Sequence, residues 1–151
     1  MLTIVNATAN DGDILARFQE EMALESENLR LDPIALRKGV KAIFDDPAKG
    51  FYLLAKEDAN IVGCLLVTSE WSEWRNKTVY WIQSVYVVPE ARRKGVFRKM
   101  YEEVKNRVSK NENLGGIRLY VDKSNTRAQE VYRKIGMNDQ HYSYFEWMKD
   151  F

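Results

Sequence analysis

The chain has 151 residues, of which 45% are hydrophobic and 30% are charged. This length fits one core, and the apolar content is too high for a disordered tail, so we expect a single domain over residues 1–151. The 23 Lys and Arg against 22 Asp and Glu give a formal net charge of +1. That balance excludes a global attraction to nucleic acid or to an acidic membrane surface, so any basic cluster is local.

Cysteine and histidine are too few for a disulfide or a structural zinc site. Cys64 is the only cysteine and His141 the only histidine, which excludes an internal disulfide and argues against a structural zinc site. The longest apolar run, residues 61–67, is much shorter than the ~20 residues that span a bilayer. No basic segment precedes the first apolar residues, so we expect no signal peptide, no metal and a cytoplasmic location.

The first half of the chain predicts strands and helices in a clear order. A short strand is expected over 2–6, and a helix over 13–23 has its apolar residues on one face. A second helix is expected over 33–46, because Asp32 can cap it and proline fits its first turn. Two further strands, 51–56 and 61–69, are separated by Asp-Ala-Asn, which predicts a hairpin.

The second half alternates strands with helices. The β-branched and aromatic run 79–88 predicts a central strand, buried on both faces, that ends at a proline. A helix over 97–108, a break at two glycines, a strand over 117–121 and a helix over 125–136 follow. Residues 141–148 alternate enough for a last strand. This order indicates an α/β sheet with at least one parallel pair of strands.

Four basic residues cluster where a strand ends and a helix begins: Arg92, Arg93, Lys94 and Arg98. Cations at a helix N-terminus oppose the macrodipole by roughly 0.3–1 kcal/mol each, which a solvated loop can tolerate. The alternative is an anion site, because helix N–H groups and guanidinium groups bind phosphate and Gly95 allows close approach. The glycine patterns of P-loop and dinucleotide sites are absent, so the phosphate would belong to neither a nucleoside triphosphate nor NAD.

Two motifs in this half resemble those of a known family. Residues 92–97, Arg-Arg-Lys-Gly-Val-Phe, resemble the R/Q-x-x-G-x-G/A pyrophosphate loop of the GNAT acetyltransferases, and residues 82–89 resemble that family's fourth strand. Residues 125–137, Asn-Thr-Arg-Ala-Gln-Glu-Val-Tyr-Arg-Lys-Ile-Gly-Met, resemble its motif N-x-x-A-x-x-x-Y-x-x-x-G-F/M. The resemblance covers about residues 79–147, and residues 70–76 are similar to a bacterial subgroup of unassigned substrate. It implies the GNAT (acyl-CoA N-acyltransferase) fold, a mixed, mostly antiparallel sheet of about six strands flanked by helices.

The resemblance also implies acetyl-CoA as co-substrate and a set of residues that bind it. The diphosphate would bind the basic loop, and the amide-rich pantetheine arm would add to the fourth strand at an open edge, often beside a bulge. Phe97 stands where the family has Gly or Ala, although its backbone N–H can still donate. The implied cofactor-binding residues are Val85, Tyr86, Val87, Arg92, Arg93, Lys94, Gly95, Val96, Phe97, Arg98, Asn125, Ala128 and Tyr132.

Tyr132 occupies the position of the family's general acid. The resemblance implies that its hydroxyl protonates the departing coenzyme A thiolate. The alternative is that Tyr132 only packs on the sheet, as its i, i+4 relation to Ala128 permits. Asn125 is similarly a helix cap first and a cofactor contact second.

The general base is where the sequence departs most from its relatives. Relatives that act on small amines often have a carboxylate on the fourth strand, whereas this chain has Gln83 and Ser84, which are poor bases near neutral pH. Glu70 and Glu73 lie in an aromatic segment that suits a cationic amine, so they are the catalytic candidates, directly or through water. The alternative is that both are exposed hairpin charges.

These observations predict an N-acetyltransferase that moves the acetyl group of acetyl-CoA to a primary amine by direct attack in a ternary complex. The acceptor would be a small-molecule or peptide amine, with neither nucleic acid nor membrane as a partner, and a homodimer is left open. The alternative function is a non-catalytic acyl-CoA-binding sensor. The net charge and the lack of a binding motif argue against a third alternative, a basic nucleic-acid module.

Overall fold

The computed structural model describes residues 1–150, in which five strands form one mixed sheet in the order β1-β2-β3-β4-β5. The strands are β1 (Leu2–Asn6), β2 (Phe51–Glu57), β3 (Asn60–Ser72), β4 (Lys77–Val87) and β5 (Leu114–Arg118). The helices are α1 (Gly12–Glu27), α2 (Pro33–Asp45), α3 (Val96–Lys110) and α4 (Thr126–Lys134). Neighbouring strands pair antiparallel except β4 and β5, which are parallel, so the mostly antiparallel α/β sheet is confirmed.

The chain divides into two compact units. The first, Met1–Arg118, contains the whole sheet with α1, α2 and α3. The second begins at Leu119 and contains α4. The proposed phosphate loop lies in the first unit and Tyr132 in the second.

Local sequence explains where the helices begin and end. The Asp32 carboxylate accepts a hydrogen bond from the Ile34 N–H at 2.9 Å, and Pro33 is the first residue of α2, so that predicted start is confirmed. Helix α1 continues to Glu27, beyond its predicted end, and stops at Asn28 in the left-handed conformation (φ 49°).

The core of the first unit lies on both faces of the sheet. Leu15 and Phe18 of α1 are fully buried against Leu54 of β2 and Cys64 of β3. Side chains alternate between faces along a strand, and Gly63, next to Cys64, faces Val96 and Met100 of α3. Helices α1 and α3 therefore cover opposite faces, and the loop before α3 must pass the end of β4.

Three predicted strands need correction. Residues 141–148 form no strand in the described chain, because alternation specifies a strand only where one face is buried, and Tyr142, Tyr144 and Trp147 are all exposed. The sheet therefore has five strands rather than six. The strand expected over 117–121 is β5, which includes the two glycines that we expected to break the chain.

The reason for the first of the two glycines, Gly115, lies in the neighbouring strand. A Cβ at Gly115 would lie 3.3 Å from the Cβ of Lys77, so this position marks a close approach of the first residues of β4 and β5. The strand expected over 79–88 runs from Lys77 to Val87, and its buried residues are Val79, Ile82 and Tyr86. Val79 and Ile82 are three residues apart and therefore lie on opposite faces, so both faces of β4 are partly buried.

Gly50, just before β2, supplies a stability test. Its φ is 142°, and a Cβ there would lie 2.3 Å from the carbonyl oxygen of Val67. Gly50→Ala should therefore lower the free energy of unfolding by about 2–4 kcal/mol in urea denaturation, from strain and overpacking. The matched variant is Gly39→Ala in α2, where a Cβ meets nothing within 4 Å and should stabilise by about 0.5–1 kcal/mol. Equal transition midpoints for the two variants would contradict this explanation.

Candidate active site

A β-bulge interrupts β4 near its C-terminal end. Cys64 pairs with Tyr86 and Leu66 with Gln83, so β4 has one residue more than β3 between the two pairs. Ser84 accommodates this residue in the left-handed conformation, with φ 54°. Such conformations are costly for residues other than glycine and are concentrated at functional sites, so the bulge marks this end of β4 as a candidate site.

Beyond the bulge, β4 has an open edge within the first unit. Its pairing with β5 ends at Trp81 and Arg118, so residues 82–87 pair only with β3. The Val88 N–H donates to the Val62 carbonyl at 2.9 Å, and alternation along a strand directs the polar backbone groups of Val87 to the opposite edge. An extended ligand with amide groups could add to this edge.

The segment after β4, residues 92–98, is called the anion loop below. Gly95 is the N-cap of α3, with φ 77° and no capping side chain. The first hydrogen bond of the helix runs from the Lys99 N–H to the Gly95 carbonyl at 3.0 Å. The N–H groups of Val96 and Arg98 come earlier in the chain than the Lys99 N–H. They therefore have no carbonyl partner inside the helix and can donate to an anion.

All four basic side chains of the anion loop are exposed, and three of them carry their charge toward solvent or along α3. Arg93, with φ 63°, and Lys94 are exposed in the turn. Arg98 pairs with Glu102, one turn further along α3, at 3.1 Å. Positive charge therefore surrounds the start of α3, as the sequence predicted.

Arg92 makes contacts of a different kind. Its Nε donates to the Val87 carbonyl at 2.9 Å, and both terminal nitrogens donate to the Glu25 carboxylate of α1, one of them at 2.9 Å. The guanidinium also lies over the Tyr86 ring, 5.7 Å from its centroid. The hydrogen bond from Arg92 holds the pKa of Glu25 below its ordinary value. Arg92 thus links the anion loop to both β4 and α1.

A row of polar side chains crosses the sheet face that α1 covers. Gln83 Nε2 donates to Thr68 Oγ1 at 2.6 Å. Glu70 lies two residues beyond Thr68 on the same face of β3, where its carboxylate accepts a hydrogen bond from the Arg118 guanidinium. Glu73 instead lies in the exposed turn between β3 and β4. Of the two glutamates predicted as bases, only Glu70 shares a face with Gln83.

Tyr86 is a buried hydrogen-bond donor beside the bulge. Its hydroxyl donates to Glu21 of α1 at 2.7 Å. Burial, together with that hydrogen bond, raises the pKa of Tyr86 to about 12, so the phenol stays protonated at neutral pH. No sequence pattern indicated that Glu21 and Glu25 face the end of β4, since helical spacing predicts only that they share a face of α1.

The second unit contains the residues of the later motif. The Asn125 side chain accepts from the Ala128 N–H at 3.1 Å, which confirms the predicted cap of α4. Tyr132 is half-buried on the same face as Ala128, and burial raises the pKa of its hydroxyl above the ordinary value. Gly136 ends the helix with φ 98°. A phenol that remains protonated is suited to donate a proton.

Residues 1–150 contain neither a cluster of metal-binding side chains nor a helix that could span a membrane. No group of three or more histidine, cysteine, aspartate or glutamate side chains there could hold a metal ion. None of the helices in that range is long and apolar enough to cross a bilayer.

Comparison with known proteins identifies the family. The sequence matches the model of the acetyltransferase (GNAT) family over residues 15–137. A possible acetyltransferase from Clostridium difficile 630 is 39% identical, with a TM-score of 0.92 over 100% of this chain and 99% of that chain. The chain therefore belongs to the GNAT family of acetyltransferases, and the resemblance of its two motifs is confirmed at the level of the family. A comparison with curated proteins gives no match.

Two more distant structures share the fold. A ribosomal-protein-alanine N-acetyltransferase from Brucella melitensis is 15% identical, with a TM-score of 0.79 over 98% of this chain and 99% of that chain. A predicted acetyltransferase from Clostridium acetobutylicum, solved with acetyl-CoA, is 18% identical, with a TM-score of 0.77 over 97% of this chain and 96% of that chain.

Proposed function

We propose that the protein transfers the acetyl group of acetyl-CoA to a primary amine by direct attack in a ternary complex. The observation that supports this best is the continuity of the open edge of β4 with the anion loop, two features that match the two halves of the cofactor. The acetyl-CoA found with the Clostridium acetobutylicum structure agrees with that match.

The cofactor would bind along β4 and then across the start of α3. Pantetheine amides would form hydrogen bonds with the backbone of Val85 and with the N–H of Val87 at the open edge, since the Val87 carbonyl already accepts from Arg92. The diphosphate would accept from the first N–H groups of α3, with Arg93 and Lys94 as nearby positive charge. Gly95 keeps side-chain atoms away from that position.

The reaction requires two proton transfers. An alkyl ammonium with a pKa near ~10 is only about one part in a thousand neutral at pH 7, so the amine must lose a proton before it attacks the thioester carbon. The N–C bond then forms and the C–S bond breaks, and the thiolate accepts a proton. We assign the first transfer to Glu70 through a water molecule and the second to Tyr132, on the basis of its place in the second motif.

The assignment to Glu70 predicts a change in the pH–rate profile. Glu70→Gln should lower kcat/KM by roughly tenfold, because general-base catalysis is lost while the amide still hydrogen-bonds Arg118. The low-pH limb of the kcat/KM profile of this variant should then follow only the titration of the amine. Glu73→Gln, which changes an exposed turn, should lower kcat/KM less. If Glu70→Gln keeps the wild-type profile, the base is another group or the enzyme selects neutral amine from solution.

A screen of amines against acetyl-CoA tests the proposal. We expect release of the coenzyme A thiol only when a suitable amine is present, together with an acetylated product of the expected mass. The panel should include small metabolite amines, aminoglycosides, peptides with a free N-terminus and peptides with an internal lysine. Tight binding of acetyl-CoA with no release for any amine would favour the acyl-CoA sensor, for which the amide of Gln83 in place of a carboxylate is the supporting feature.

A further inference from the structure

We propose that Arg92 does not contact the diphosphate but is a positioning residue, clamped by Glu25, that fixes the anion loop relative to the open edge of β4. The proposal rests on the function proposed above, because it concerns how this site holds acetyl-CoA. It makes Glu25, a residue of α1 that belongs to neither motif, a determinant of cofactor affinity.

The hydrogen-bonding capacity of Arg92 is largely used inside the protein. A guanidinium has five N–H donors, and here one binds the Val87 carbonyl and two bind the two oxygens of Glu25. Its positive charge is balanced by the same carboxylate. A phosphate that bound Arg92 directly would have to displace Glu25 from a bidentate pair, which is the strongest arrangement that an arginine and a carboxylate form.

The contacts of Arg92 join three elements at the point where the cofactor would turn. Val87 is the last residue of β4, Arg92 is the first residue of the anion loop, and Glu25 lies in the last turn of α1. The bond to the Val87 carbonyl lies on the side of β4 that faces away from β3, because alternation directs the groups of Val87 there. One guanidinium therefore fixes the position of the loop that would bind diphosphate relative to the edge that would bind pantetheine.

The exposure of the pair indicates that its main effect is on geometry. Arg92 is 38% exposed and Glu25 is 48% exposed, and ion pairs so accessible to water add little to global stability. Substituting either residue should therefore leave the protein folded while it releases the loop. The packing of Arg92 on the Tyr86 ring restricts the guanidinium further.

Calorimetric titration with acetyl-CoA separates a clamp from a direct ligand. We expect Glu25→Gln and Arg92→Ala each to weaken binding by about fivefold to tenfold, and the double variant to be no weaker than the weaker single variant. Arg92→Lys keeps the charge but loses the planar fork, so it should bind as weakly as Arg92→Ala. In turnover assays each single variant should raise the KM for acetyl-CoA while kcat at saturation stays near the wild-type value.

The matched control is Glu102→Gln, which removes a carboxylate from another arginine of the same loop, Arg98. The dissociation constant of this variant for acetyl-CoA should be within twofold of the wild-type value. Three results would each overturn the clamp. Glu25→Gln could bind acetyl-CoA as tightly as the control, the losses of affinity could add in the double variant, or Arg92→Lys could recover the wild-type affinity. Thermal melting of every variant checks that the fold is retained. Failure of the wild type itself to bind acetyl-CoA would instead overturn the proposed function.

Discussion

Gly95→Asp is expected to weaken the binding of acetyl-CoA by tenfold to a hundredfold while the protein remains folded. Gly95 has φ 77° and caps α3 with no side chain, so an aspartate there would bond to the N–H groups that the diphosphate requires. It would also place a negative charge against the phosphates. A charge-assisted contact is worth roughly 1.5–3 kcal/mol, which corresponds to that range of affinity.

The fold should survive because the two local effects of Gly95→Asp oppose each other. Aspartate at a positive φ introduces backbone strain, but it tolerates that conformation better than most residues and stabilises the helix as a cap. Gly95→Asn is the matched control, since asparagine has the same shape and no charge. We expect calorimetry to show a smaller loss for Gly95→Asn, because asparagine can also bond to those N–H groups but adds no negative charge. Equal affinities for wild type and Gly95→Asp would exclude the start of α3 as the anion site.

Tyr132→Phe is expected to lower kcat on the order of 10²-fold with little change in the affinity for acetyl-CoA. The substitution keeps the half-buried ring and removes only the hydroxyl that would protonate the coenzyme A thiolate. Burial raises the pKa of Tyr132, so the wild-type rate should fall only above the ordinary tyrosine value of about 10. That alkaline limb should be absent from the variant.

Tyr52→Phe supplies the control for removal of a buried hydroxyl. Tyr52 lies against Phe44 and belongs to β2, which is separated from β4 by β3, and burial raises its pKa to about 12. The kcat of Tyr52→Phe should stay within about twofold of the wild type, because Tyr52 is none of the proposed site residues. A Tyr132→Phe variant that matched this control would show that Tyr132 only packs and that water is the acid.

Much of the fold was predictable because it depends on contacts that are local in sequence. The cap of α2 needs only Asp32 and Pro33, and the cap of α4 needs only Asn125. The extent of β5 was not predictable, because Gly115 is set by its approach to Lys77 and not by its own propensity. Residues 141–148 show the converse, since alternation alone does not supply a partner strand.

The candidate site divides in the same way. The anion loop follows from a basic cluster and a glycine at a helix start, which are adjacent in sequence. The pair between Arg92 and Glu25 joins residues 67 positions apart, so neither motif nor periodicity indicates it. The bulge at Ser84 was expected only by resemblance, because no glycine marks its positive φ.

A crystal structure of the complex with acetyl-CoA would show directly how the cofactor binds. We expect diphosphate oxygens within hydrogen-bond distance of the N–H groups at the start of α3, and pantetheine amides beside Val85 and Val87 on the open edge of β4. We also expect Arg92 still to bind Glu25 in the complex. A diphosphate bound away from α3, or pantetheine that does not follow β4, would show that the cofactor site lies elsewhere.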